Sequence, residues 1–577
     1  MAILGIDVGG TFTDAVLIHD NGAVETAKVP TAERHEESVV AVARAVGARD
    51  VTRFAHGTTA ATNALIERRG ARTAFVTTAG FEHLLHLRRQ NRAHLYRLCA
   101  PHPEPLVPLE RCHGVAERMG PDGVIAGLGT IPAVDAEAIA VCLLFSFRHP
   151  EHEQAVASEL RRRHPHAHVV ASHELAPEFR EYERASTTVV DAYLGPLVAA
   201  SLGALEEAAA GAGLPEPLVM TSSGGLLPVG EAGAHAARVV LSGPAAGVVG
   251  AARMAAASGF EAAISFDMGG TSTDVALISA GEAGRSAERD VAGVPLRLPT
   301  VDVHTVGAGG GSIARRDAAG RLQVGPRSAG SRPGPACYGR GGTEPTVTDA
   351  NLLLGRLPPT LASGLELDAE AATRALADID PADVIAVVNA EMERALRVVT
   401  VERGHDPREL ALVAFGGAGP LHACALAEEL DVPAVLVPRA AGVLSALGLA
   451  AGDVRRERVR SHVVPLAGAG ELPAAGEADL RYRGQSFELT VPLGPDLPGA
   501  FHRAHEERYG YADPTREIEL VAVRTAEAEP GPAVELAGGR HVTVTGPRRV
   551  ELEGATCWVP DGWTGATDEH GTLVLRR

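Results

Sequence analysis

DVGGTFTD at residues 7–14 and DMGGTSTD at residues 267–274 agree at six of eight positions, although 260 residues separate them. Each begins where an apolar run ends. Ile3–Asp7 reads as a short buried strand and Asp14–His19 as a second, and Asp20-Asn21-Gly22 turns the chain into a third over Val24–Val29. The second copy has the same surroundings: AAISFD (262–267), the octapeptide, DVALIS (274–279) and GEAG (281–284). The repeated unit is therefore a β-hairpin, and the fold must accommodate two of them.

A turn with two glycines lets backbone N–H groups approach an anion closely, because no Cβ intervenes. Gly9, Gly10, Gly269 and Gly270, with the hydroxyls of Thr11, Thr13, Thr271 and Thr273, form a candidate phosphate-binding set. Each octapeptide also begins and ends with aspartate. A carboxylate beside phosphate is repulsive unless a cation stands between them, and Mg²⁺ (or Mn²⁺) answers that need. The aspartates of both octapeptides are therefore candidate metal ligands, and the fold resemblance given below singles out Asp7 and Asp267 as the catalytic and metal-binding residues. No GK[ST] follows the glycines, so neither turn is a Walker A loop. One copy alone is equally well a ligand-free tight turn; two copies in equivalent positions favour phosphate. A third element, LVAFGGAGPLHA (412–423), sets Gly416, Gly417 and Gly419 between an apolar strand and a helix start, where backbone can lie flat against a base or ribose.

At 577 residues the chain exceeds one ordinary core, so two to four domains are expected. Hydrophobic content of 45% with 22% charged residues is globular in kind. The excess of 72 acidic over 53 basic residues (net −19) argues against non-specific nucleic-acid or anionic-membrane binding and suits a cytoplasmic enzyme. Six cysteines show no CxxC pair, the start MAILGIDVGG lacks a signal-peptide pattern, and the apolar stretch 410–430 is too punctuated to span a bilayer.

Helical patterns near 36–47, 59–69 and 151–163 alternate with strand patterns near 52–56, 72–78, 141–147 and 168–172, which implies a parallel or mixed sheet covered by helices. A helical stretch over 177–211 leads toward a second lobe, whose segment 241–257 also reads as a helix. Residues 307–345 read as a long Gly/Pro/Arg-rich loop region. Beyond about 455 the composition shifts toward a separate small β-rich domain.

Two phosphate hairpins followed by a Gly-Gly adenosine motif resemble the actin/hexokinase/Hsp70-type ATPase fold. That resemblance implies an α/β protein with two ribonuclease-H-like lobes around a nucleotide cleft, plus a β-rich C-terminal domain. Longer stretches narrow it: HGTTAATNALIERRGARTAFVTTAGF (56–81), APEFREYERASTTVVDAYLGP (176–196), VLSGPAAGVVGAA (240–252), SFDMGGTSTDVALI (265–278), VGAGGGSIARRD (306–317), GPRSAGSRPGPACYGRGGTEPTVTDANLLLGRL (325–357) and AFGGAGPLHACALAEEL (414–430). Together they resemble the hydantoinase A/oxoprolinase family, which includes N-methylhydantoinase, 5-oxoprolinase and ATP-dependent acetone and acetophenone carboxylase subunits. The implied domains are 1–176, 177–455 and 456–577, the last shortened between Arg458 and Asp479.

The resemblance implies an ATP-dependent hydrolase subunit that activates a cyclic amide or ketone carbonyl by O-phosphorylation. Hydrolysis or carboxylation then proceeds with a separate hydantoinase B-type subunit in a homo- or hetero-oligomer. It places Asp7 near Mg²⁺ at the β- and γ-phosphates and gives Asp267 the task of orienting water or substrate oxygen. A small-molecule kinase of the same fold and a non-catalytic ATP-dependent activator are the alternatives.

Further candidates face substrate: His56 and Thr58 in HGTTAATN, His304 in VDVHTVGAGGG, Gly310 and Ser312 in the glycine loop, and Cys337. Against each stands a plainer role, as a hydrogen-bonded structural histidine, a surface loop or a buried thiol. Arg332 and Arg340 near Cys337 make a basic setting that lowers a thiol pKa. The histidines between 149 and 173 read as solvated surface.

Overall fold

The computed structural model describes residues 2–361, 364–532, 541–552 and 554–577. Strand β1 (Ala2–Val8) runs antiparallel to β2 (Phe12–His19), which pairs with β3 (Val24–Pro30), while β4 (Val51–Thr58) and then β5 (Pro217–Met220) add parallel to β1. Asn21 caps the β2–β3 turn by accepting from the Ala23 amide, and Gly22 takes the positive φ the turn needs. The same wiring recurs. β6 (Ala263–Met268) pairs antiparallel with β7 (Thr273–Ser279), β8 (Val303–Val306) lies beside β7, and β9 (Ala411–Phe415) and β10 (Ala434–Val437) continue parallel to β6. Both sheets therefore share the order three-two-one-four-five, the arrangement expected of two ribonuclease-H-like lobes.

Helix α1 (Glu181–Gly211) packs into the first lobe, and α2 (Ser242–Ala257) carries the chain from there to β6. α3 (Gly419–Glu429) is the crossover between β9 and β10, and α4 (Leu444–Ala451) brings the chain back. α1 is long and apolar enough to cross a bilayer by length and composition, yet 61% of its most apolar window is buried within the first lobe. Between β4 and α1 sits a four-stranded parallel sheet made from Thr73–Thr78, Cys112–Val115, Ala138–Cys142 and His168–Ala171, with its own apolar core.

Four expectations change. β5, inside the stretch assigned to the second lobe, belongs to the first sheet. The range 456–577, of which residues 533–540 and 553 lie outside the described residues, does not form one separate domain. Val454–Pro465, Glu477–Tyr482, Leu489–Pro492 and Ile518–Glu529 extend the first lobe into a 10-stranded sheet. Thr543–Thr545, Thr564–Thr567 and Leu573–Arg576 extend the second lobe's sheet beyond β10. The strand expected at 141–147 ends at Cys142. Its apolar continuation is a buried turn, pinned by the Leu143 amide donating to Glu153 (2.7 Å) and by Arg184 donating to the Leu143 carbonyl (2.6 Å). Finally, the long loop over 307–345 contains a hairpin, Ser312–Arg316 with Leu322–Ser328, whose turn is tied by Asp317.

Candidate functional site

The two octapeptides fold alike. Each pairs its first aspartate directly opposite its last, Asp7 with Asp14 and Asp267 with Asp274. Each closes its turn with the same bond, Gly9 N–H to the Phe12 carbonyl and Gly269 N–H to the Ser272 carbonyl, both 3.0 Å. The second glycine and the following threonine of each turn are exposed, so Gly10, Thr11, Gly270 and Thr271 form the open tips. Thr13 and Thr273, expected as hydroxyl donors to an anion, are buried and serve the turn instead. Thr13 lies 3.0 Å from the Thr31 hydroxyl, which itself donates to the Gly9 carbonyl (2.8 Å), and Thr273 donates to the Ala308 carbonyl (2.6 Å).

Four carboxylates gather where the hairpins meet. Burial pushes the Asp7 carboxyl up to about 7, with Asp14 adding to the effect and Lys28 opposing it. Asp267 rises to about 8 through burial, then Asp274, then Asp7 itself. That last cause places the two hairpins within reach of each other's charge. Asp7 Oδ1 is shut off from solvent with no donor in contact. A buried carboxylate oxygen without a donor is costly and calls for a cation. Among the described residues no three His, Cys, Asp or Glu side chains converge as a protein-only metal cage.

The last aspartates are not turn caps, because each is held by the third strand. Lys28 on β3 pairs with Asp14 at 2.6 Å, whereas at the matching place on β8 the Thr305 hydroxyl donates to Asp274 at 2.5 Å. One hairpin thus pairs its last aspartate directly with a cation, while the other holds it through a neutral hydroxyl and feels Arg289 only at a distance. Sequence reading missed Lys28, although the Asp20-Asn21-Gly22 turn sets a register that puts residue 28 opposite residue 14.

Each first aspartate also leans on a glycine of the fourth strand. A Cβ on Gly57 would stand 2.7 Å from Asp7 Oδ1, and one on Gly416 only 2.2 Å from Asp267 Oδ1. Gly416 has φ +76° as well, a conformation that side chains resist. We expect Gly416→Ala to displace the Asp267 carboxylate and lower ATP turnover about 100-fold, while circular dichroism reports an intact fold; turnover at the wild-type level sinks the assignment. Gly417 faces open space and Gly419 begins α3 against the β6 backbone, so the turn Gly416–Gly419 lies beside Asp267.

The remaining candidates divide. Thr58 pairs with Val8 at the edge where Asp7 lies. By strand alternation His56 shares the face of Thr58, opposite Gly57 and Asp7; it is 4% exposed, its Nδ1 has no partner, and burial followed by the nearby His35 drops its pKa to about 3, so it stays neutral. His304 alternates with Thr305 along β8 and feels Arg289, Arg403 and Asp302 rather than the aspartate group. Gly310 and Ser312 brace the second turn. The Gly310 amide donates to the Gly269 carbonyl (3.0 Å), the Gly311 amide to Gly270 (2.7 Å), and the Ser312 hydroxyl accepts from Gly309 (2.9 Å). Cys337 is fully buried. Burial and then Asp349 raise its thiol far above the usual range, reversing the expected lowering by Arg332 and Arg340. Its amide donates to Asp349 (2.7 Å), the capping-box residue of the helix Val347–Leu353, so its place is structural. His152 and His173, read as solvated, are instead tied to the buried carboxylates of Glu117 (2.9 Å) and Glu153 (2.7 Å).

Comparison with known proteins agrees with this geometry. Residues 184–458 match the hydantoinase/oxoprolinase model, and residues 3–164 match the model of the hydantoinase/oxoprolinase N-terminal region. The caprolactamase subunit alpha of Pseudomonas jessenii is 33% identical over 90% of this chain and 85% of its own length. The acetophenone carboxylase gamma subunit of Aromatoleum aromaticum is 34% identical over 78% of this chain and 68% of its own. The crystal structure of the ATP-dependent caprolactamase from Pseudomonas jessenii superposes with a TM-score of 0.84, at 30% identity over 99% of both chains. Congruent hairpins, shared lobe wiring and matches along nearly the whole chain lead to one conclusion: this chain belongs to the hydantoinase/oxoprolinase family.

Proposed function

We propose that the chain is the ATP-using subunit of an enzyme that activates the carbonyl of a cyclic amide or ketone. A hydantoinase B-type subunit then completes hydrolysis or carboxylation. The observation that carries this reading is the pair of matched hairpins, which hold two buried carboxylates within reach of each other's charge and leave one oxygen without a donor. The names of two relatives, subunit alpha of a caprolactamase and gamma subunit of an acetophenone carboxylase, support a multi-subunit setting.

Asp7 and Asp267 fit a divalent cation, Mg²⁺ or Mn²⁺, by their chemistry as buried oxygen donors. When bound, such an ion neutralises charge on the transferring phosphate. The chain's own residues do the rest. The tips Gly10–Thr11 and Gly270–Thr271 offer backbone N–H groups to the phosphates, those of Gly9 and Gly269 being spent on closing the turns, and Gly416, Gly417 and the start of α3 receive the nucleoside. Lys28 opposes the rise in the Asp7 pKa and so helps keep that carboxylate ionised, the form a cation needs. Asp267, whose partner Asp274 is hydrogen-bonded by neutral Thr305 rather than paired with a lysine, orients the attacking oxygen. In the activation step the substrate's carbonyl oxygen bonds to the γ-phosphorus, the bond to the β–γ bridging oxygen breaks, and ADP leaves.

The test is ATP turnover by the purified chain, alone and co-expressed with its B-type partner, in the presence of caprolactam, hydantoin, 5-oxoproline or acetone. Turnover stimulated by one substrate, with product released only when the partner is present, is the expected result. A stable phosphorylated product from the chain alone indicates a kinase. Turnover indifferent to every substrate indicates an activator, and no ATP binding defeats the reading.

A further inference from the structure

A cavity of about 290 Å³ opens beside the turn that follows β5, where Thr221 and Ser223 meet the segment 174–178 and the start of the strand Val454–Pro465. β5 lies two strands from β1, about 10 Å along the same edge of the first sheet. The cavity is therefore outside the hairpin site, and nothing assigned above uses it. Its volume sits near the lower end of small-molecule pockets.

The charges lining it are nearly all spent. Glu174 takes both Arg161 nitrogens (3.0 and 2.7 Å), Glu178 holds Arg297 and Arg524 (2.9 Å each), and Glu457 holds Arg455 (2.8 Å). Arg456 is fixed from two sides by Glu231 (2.9 and 2.7 Å). Arg238 is different. Among the described residues, no acceptor lies within hydrogen-bond distance of its guanidinium. The carboxylate nearest to hand, Asp191, is committed to His235 Nδ1 (3.2 Å) and the Ala237 amide (2.8 Å). Burial depresses the Arg238 pKa, with Asp191 and Glu457 opposing from a distance, so the site carries a desolvation cost that no contact offsets. The remaining wall is apolar: Leu175, Leu227, Leu298 and Pro299.

We propose that this cavity binds a small organic carboxylate, with Arg238 as the anchor of its carboxylate and the leucine–proline wall against its apolar body. A planar guanidinium fork with free N–H groups matches the two oxygens of a carboxylate. Arg458 also lines the cavity but is largely exposed and loosely paired with Glu527 (3.7 Å), so Arg238 is the inner cation, and one inner cation against an apolar wall selects an amphipathic monoanion over a polyanion. The inference stands independently of the ATP reading, because no residue of the hairpins takes part.

Titration calorimetry of the intact chain with hexanoate, hexanamide, hexylamine and inorganic phosphate tests it, with ATP binding followed in parallel. Wild-type protein is expected to bind hexanoate at least tenfold more tightly than the other three, and Arg238→Gln to lose at least tenfold of that affinity while binding ATP as the wild type does. Arg238→Lys keeps the charge without the fork and should fall between; it also serves should the glutamine variant fold poorly. Hexanoate binding equal to hexanamide, tighter binding of phosphate, or unchanged affinity in both variants overturns the proposal. Loss of ATP binding in the wild type would overturn the proposed function and leave this result standing.

Discussion

Asp267→Asn is expected to abolish ATP turnover, a loss of at least 1,000-fold on the scale of removing a transition-state contact in a preorganised site, and yet to make the nucleotide-free protein harder to unfold above neutral pH. The two effects share one cause. Asp267 is raised from 3.8 to about 8, so the folded chain holds a proton there that the unfolded chain has already released. Between those values the native state binds more protons than the unfolded one. Its stability contribution is therefore complete below about pH 4 and is lost as the pH climbs toward 8. Asparagine has no charge to lose. Thermal melts of wild type and variant should coincide near pH 4, before that loss begins, and separate by pH 8.5, with the variant ahead by about 1–2 kcal/mol, the usual gain when a functional strain is removed. Melting curves that stay superimposed at both pH values, or a variant that still turns over ATP, contradict this account of Asp267.

The same substitution separates architecture from chemistry, and it clarifies what the sequence alone revealed. The hairpins were legible because everything that defines them is local: an apolar strand, two glycines, a threonine, a second strand. β5 was not. Its four residues, Pro217–Met220, lie some 160 positions beyond the strand they join, and nothing in them says which sheet they enter. The C-terminal strands were misread as one domain for that reason. Alternation identifies a strand, while its partner is chosen by long-range packing.

Within the site the boundary falls in the same place. Asp7, Asp267 and the exposed turn tips follow from the octapeptides themselves. Thr13 and Thr273 were taken as ligand donors because they lie in the motif, but strand alternation turns them toward Thr31 and the Ala308 carbonyl. Lys28 could have been found by counting back from the β2–β3 turn. Thr305 could not, since β8 lies some 30 residues after its partner strand. Cys337 shows the opposite error. Arginines near it in sequence suggested an activated thiol, and folding put Asp349 beside it instead.

Gly448→Ala should strongly destabilise this chain, because the added methyl would meet main chain. α2 carries the polypeptide from the first lobe to the second and α4 carries it back, and these two helices pack backbone against backbone. A Cβ on Gly448 would stand 2.0 Å from the Ala246 carbonyl oxygen, and one on Gly250 would stand 2.7 Å from the Leu444 carbonyl oxygen. On its other side α4 lies equally close to β1, where a Cβ on Gly5 would meet the Ala446 carbonyl oxygen at 2.0 Å. The obstacle in every case is main chain, which cannot swing aside as a side chain does. Accommodation requires α4 to shift by about 1 Å or more, against an interior packed at crystal density. A loss of about 3 kcal/mol or more follows. Because β1 ends at Asp7 and β6 at Asp267, a shifted α4 also changes how the aspartates face each other, and ATP turnover should fall along with stability. Gly203→Ala supplies the contrast. It sits within α1 with open space where its Cβ would go, and should stabilise by about 0.5–1 kcal/mol through helix propensity alone. Calorimetric melts of the two variants should therefore move in opposite directions. A Gly448→Ala protein that melts with the wild type would show that the lobes are not held by this contact.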